Sequence, residues 1–228
     1  MGGTGEPSDP VPFTLHHTMP NPTSEAVAYG GCSGSAVVTK ATDGRSVEAV
    51  SSVGDAARTV VTILTDGSAA GAVAYIGHSA LAEVTIAAYG SHAEAVASVR
   101  YVAAAVVTNV ADGSPADAVS SVRYAAAAVV TDVADGSPAG AVASIGHSAL
   151  AVVTDAADGS PAEAVASVGY AAAAVGTEVS DGSPARAVAS IGHSASAAVT
   201  NAADGSPAEA VAPVVYAAAA VVTDDADG

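Results

Sequence analysis

Ser160-Pro161-Ala162-Glu163-Ala164-Val165-Ala166-Ser167-Val168-Gly169-Tyr170-Ala171-Ala172-Ala173-Ala174-Val175-Gly176-Thr177-Glu178-Val179-Ser180-Asp181-Gly182 is one copy of the unit that dominates the chain. Its closing Asp-Gly recurs at Gly44, Gly67, Gly113, Gly136, Gly159, Gly182, Gly205 and Gly228, with Tyr89-Gly90 filling the gap. The interval is 23 residues throughout, and a threonine keeps step from Thr39 to Thr223. Nine units occupy residues 22–228 without an insertion. A fixed period of this size marks a repeat architecture, in which each unit buries its apolar face by stacking on its neighbours.

Two backbones compete for this unit. The positions of Val165, Val168, Ala172, Val175 and Val179 hardly vary between copies, and their spacing of three and four is that of one helix face. Ser160-Pro161-Ala162-Glu163 reads as a helix start, with Ser as cap, Pro in the first turn and Glu reaching back. Asp181-Gly182 reads as its stop. The spacing therefore predicts an all-α fold, nine single-helix repeats in an antiparallel α-solenoid. Three features oppose it. Asp132, Asp135, Asp155 and Asp158 crowd the C-terminal helix end, where the dipole disfavours acids. Pro213 falls inside the last helix. Gly and Val take many interior places.

The alternative is a β-solenoid with one coil per repeat. Read in alternation, both faces of the unit are small or apolar, so the period of two discriminates poorly. Ser144-Ile145-Gly146-His147-Ser148-Ala149-Leu150-Ala151 and Ser167-Val168-Gly169-Tyr170-Ala171-Ala172 resemble the head repeats of trimeric autotransporter adhesins. The resemblance implies a parallel β-roll that trimerises at a cell surface. The chain departs from that pattern at Arg100, Arg123 and Val215, where the family carries glycine, and in its longer period.

Composition narrows function. The chain has 228 residues, 50% of them hydrophobic, but no Trp and one Phe, so any core is built from Ala and Val. A net charge of -17 argues against nucleic acid and anionic membrane surfaces as partners. Cys32 is the single cysteine, which excludes an intramolecular disulfide. No secretory signal or membrane-spanning helix is read in the sequence. Residues 1–21, rich in Gly, Pro and Thr and ending near His16-His17, read as a disordered lead-in.

The polar residues are periodic, whereas catalytic sites are singular. No nucleophile elbow, phosphate loop or zinc motif surrounds Gly31-Cys32-Ser33-Gly34-Ser35 or any other stretch. We expect no enzyme, no cofactor and no metal; the acidic corners (Asp132 with Asp135, and Asp224, Asp225 and Asp227) offer too few oxygens at set spacing for calcium. The candidate partner surface is formed by two variable columns: Asp117, Glu163, Arg186 and Glu209 in one, Tyr124, His147, Tyr170 and His193 in the other. The sequence suggests an acidic scaffold or protein-binding platform, whose partner is another protein or a second copy. Its alternatives are a surface adhesin or fibre-like β-solenoid that trimerises, and an ice-binding protein using a threonine ladder.

Overall fold

A computed structural model describes residues 13–20, 23–30 and 33–227, with side-chain environments from Gly34 onward. The strands run β1 (Phe13–Pro20), β2 (Thr23–Gly30), β3 (Ser33–Gly90), β4 (Ala93–Asp112), β5 (Ala116–Asp135) and β6 (Ala139–Gly159). They continue through β7 (Ala162–Gly182), β8 (Ala185–Asp204), β9 (Ala208–Val211) and β10 (Val214–Asp227). There is no helix among the described residues, so the all-α antiparallel array is overturned. The chain is a parallel β-solenoid, the second backbone the repeat allowed.

Strand order follows chain order, β1-β3-β4-β5-β6-β7-β8-β10, with β2 also on β3 and β9 on β8. Every pairing among the described strands is parallel and every register is one repeat: Val165 pairs with Val142 and Val188, Thr177 with Thr154 and Thr200. Each coil thus templates the next, and one copy's backbone donors meet the adjacent copy's acceptors 23 residues away. Ring centroids in successive coils stand 4.8–5.0 Å apart, the spacing of strands in a sheet.

The burial pattern of β4 gives the cross-section of a coil. Residues 93, 95, 97 and 99 point inward, then 102 at a corner, then 105, 107, 109 and 111. Two seven-residue faces, 93–99 and 105–111, lie back to back. They are joined by a corner at 100–104 and a tight turn at 112–115. The inward rows are largely alanine: Ala162, Ala164, Ala166, Ala171 and Ala174 are all at most 9% exposed. Meanwhile Val175 and Val179, which a helix would have buried, are 39% and 43% exposed. The threes-and-fours spacing failed because inward positions alternate along each face, which leaves Val168 alone of its five residues buried. Only small side chains let the two faces approach closely, and Val and Thr suit the pleated outer surface.

The supposed helix caps do other work. Ser160 Oγ accepts the N–H of Ser183 at 3.2 Å, and the same bond recurs from Ser137 to Ser114 and from Ser206 to Ser183. The Asp-Gly pair turns the coil: a Cβ on Gly159 would lie 1.5 Å from the carbonyl oxygen of Gly136, so no side chain fits where the turns stack. Pro213, which lacks an N–H, interrupts the last coil between β9 and β10 while its carbonyl accepts from Ile191 at 3.0 Å. Of the expected disordered lead-in, residues 13–20 form β1 on β3, with His16 opposite Thr39. Residues 1–12 and 21 lie outside the described residues, as does Cys32.

Candidate functional site

Identical register turns each sequence column into a straight row along the solenoid, so the two predicted columns become two surface rows. At the corner, His78, Tyr101, Tyr124, His147, Tyr170, His193 and Tyr216 form a continuous ring ladder. Interplanar angles run from 3° between Tyr101 and Tyr124 to 24° between His193 and Tyr216. Because each ring lies against the next, the ladder offers ring edges to solvent and covers the faces. Beside it runs an open groove of about 860 Å³ floored by Val102, Ala125, Ser148 and Ala171. At the ladder's start His78 Nδ1 meets Asp55 Oδ1 at 3.0 Å.

The second row lies on the outside of the first face. Arg186 reaches both neighbours, with Nη1 2.7 Å from Glu163 Oε1 and Nε 3.3 Å from Glu209 Oε2. The hydrogen bond to Glu163 and the charges of both glutamates hold the Arg186 guanidinium above its usual pKa. Asp117 occupies the same row two coils before Glu163, with Gly140 between them. The two rows do not converge. Rows of valine and serine (Val165 and Ser167 in one coil) separate them, so they are margins of one face rather than parts of one pocket.

The second face carries what neither column showed. Its outward rows read Ala104-Val106-Thr108-Val110, Ala127-Val129-Thr131-Val133, Leu150-Val152-Thr154-Ala156, Ala173-Val175-Thr177-Val179 and Ser196-Ala198-Thr200-Ala202. No charge interrupts these five coils, in a chain of net charge -17. The threonine row is in register from Thr85 to Thr223.

Inside that face lies a row that sequence reasoning misread. Asn109, Asp132, Asp155, Glu178 and Asn201 are all 0% exposed, stacked one per coil where the earlier units hold Lys40, Ile63 and Ile86. Asp132 and Asp155, which the helical spacing places at a helix end, are buried in the solenoid, while their neighbours Asp135 and Asp158 stand in solvent. Ser120 Oγ donates to Asp132 Oδ1 at 2.5 Å, and the Ala143 N–H donates to Asp155 Oδ2 at 3.0 Å. Asn109 Nδ2 donates to the Val119 carbonyl at 2.9 Å, and Asn201 Nδ2 to that of Val211 at 2.7 Å. Asp132 Oδ2, Asp155 Oδ1 and both Glu178 oxygens find no partner.

Burial raises all three carboxyls: Asp132 to about 7, Asp155 to about 9 and Glu178 to about 8. The negative charges of Asp132 and Glu178 add to the rise at Asp155, and that of Asp224 to the rise at Glu178. One sequence signal pointed here. Gly176 breaks a valine column two residues before the row's only glutamate, and a Cβ on it would lie 3.0 Å from Glu178 Oε1. The longer acid is housed by a missing side chain.

No group of three or more His, Cys, Asp or Glu among the described residues is arranged to hold a metal ion. No family model matches the chain, and no curated protein or solved structure shows significant similarity to it.

Proposed function

We propose that the chain is a non-enzymatic structural rod, a fibre-like or adhesin-like β-solenoid that associates with further copies of itself through its uncharged second face. The observation that carries this reading is the face from Ala104 to Ala202, five coils without a charge on a strongly acidic molecule. Its Val106, Leu150, Val175 and Val179 are each 39–43% exposed, and a contiguous apolar face of this kind marks an interaction surface. Elsewhere charge keeps rods apart; here nothing repels a second copy. The ring ladder and the Glu163–Arg186–Glu209 row lie away from this face and remain available to solvent in an assembly.

Light scattering on the purified chain tests it. The rod reading expects a trimer or other small oligomer whose mass exceeds the 21.5 kDa protomer, reduced to protomer by Val152→Lys with the strand spectrum intact. A protomer mass at high micromolar concentration, unchanged by the substitution, contradicts it.

The in-register threonine row favours a second reading, in which the same flat face orders water and binds ice. Thermal hysteresis in the parent chain, abolished by Thr154→Lys, would favour this reading over self-association.

A further inference from the structure

The Asp132–Asp155–Glu178 stack needs its own explanation, because the rod does not require it. Ile63 and Ile86 fill the same row in earlier coils and pack without polar atoms. Three carboxyls on consecutive coils stand one strand spacing apart, sealed from water, with four oxygens that accept no hydrogen bond. As three carboxylates the stack would be a column of like charges in a dry interior. Nothing facing it supplies compensation. The opposed sheet contributes Ser120, Ala143, Ala166 and Ala189; the row continues with Asn109 on one side and Asn201 and Asp224 on the other. Lys40 shares the row but sits four coils from Asp132, and Glu163 and Arg186 point outward from the opposed sheet.

We propose that the Asp132–Asp155–Glu178 stack is a proton-held latch: these coils close while the carboxyls keep their protons, and alkaline conditions loosen the rod from this segment. Proton occupancy sets the sign. Each carboxyl binds its proton more tightly in the folded chain than in the unfolded one, so folding is favoured by protons here. The stack's contribution is complete below the ordinary carboxylate range. It declines as pH rises through that range and is lost once pH passes about 7 for Asp132, about 8 for Glu178 and about 9 for Asp155. Alkalinity would then act on the middle of the rod rather than on its ends.

Two measurements on the full chain test the latch. Thermal unfolding of the parent should show Tm falling by at least about 6 °C between about pH 6 and about pH 9. The fall should be largely abolished in D132N/D155N/E178Q, which keeps shape and removes titration. Infrared spectroscopy in heavy water should show a protonated-carboxyl band in the folded parent at neutral pH that vanishes on unfolding, a readout that stands even if the triple variant fails to fold. A Tm that is flat or rises over the range, an unaltered fall in the triple variant, or no such band would each overturn the proposal. So would a rise in Tm with added calcium in the parent but not the triple variant, since the stack would then hold a cation.

Discussion

Tyr170 lies against His147 with ring centroids 4.8 Å apart and planes 12° apart, although 23 residues of chain separate them. The contact exists because both residues occupy one position of the coil, and it recurs with His193 on the other side of Tyr170, at 4.8 Å and 14°. Tyr170→Ala removes two stacked contacts and should cost about 1–3 kcal/mol. Tyr170→His keeps a ring in the ladder and should cost less than about 1 kcal/mol. Urea unfolding followed by far-ultraviolet circular dichroism measures both; equal losses would mean that a ring kept in the ladder contributes nothing.

Glycines of one chain should respond very differently to the same substitution. Gly159→Ala places a Cβ 1.5 Å from a stacked backbone oxygen and should destabilise by about 3 kcal/mol or more, or prevent the coils from closing. Gly140→Ala meets only Asp117 Oδ1 at 2.9 Å, the far end of a flexible exposed side chain, and should stay within about 0.5 kcal/mol of the parent. Parallel denaturation curves of the two variants decide the matter.

The notch at Gly176 predicts a coupled pair. Gly176→Val restores the residue of the neighbouring coils but drives a side chain toward Glu178 Oε1, 3.0 Å from the new Cβ, at a cost of about 1–3 kcal/mol. Adding Glu178→Asp recreates the Val153 and Asp155 pairing of the preceding coil and should recover most of that loss. A double-mutant cycle with no coupling would show that the notch and the acid are unrelated.

Arg186 sits between two glutamates, yet its side chain is 48% exposed and theirs 52% and 60%. Solvent screening keeps such pairs weak, so Arg186→Ala should cost less than about 1 kcal/mol and the effect should shrink in high salt. Arg186→Glu stacks three acids on consecutive coils and should cost more, again with recovery in salt. Stability measured at low and at high ionic strength reads both.

The period and the two surface columns were legible in the sequence because repetition needs no knowledge of backbone conformation. The backbone itself was not. Val165, Val168, Ala172, Val175 and Val179 satisfy a helical spacing, but in the solenoid only Val168 among them is buried. Alanine fits both a helix and a tightly closed β-core, so its abundance decided nothing. Features that counted against the helix carried the answer: Asp132 and Asp155 at an unfavourable end, Pro213 in an interior, and Gly and Val at many interior places. The tyrosine and histidine column was found, but its stacking follows only from parallel register. The burial of the acids was not legible because a lone carboxylate is ordinarily solvated; only Gly176 hinted that Glu178 needed room.

Parallel register at one repeat per coil is the central claim, and distances between spin labels test it most directly. In a Cys32→Ser background, cysteine pairs would replace Thr85 with Thr154, Thr177 or Thr200, spanning three, four and five coils. The solenoid expects mean separations near about 14, 19 and 24 Å plus a constant label contribution, growing by about 4.8 Å for each added coil. Distances that alternate between long and short as the number of intervening repeats changes from odd to even would mean antiparallel elements, and would contradict the fold.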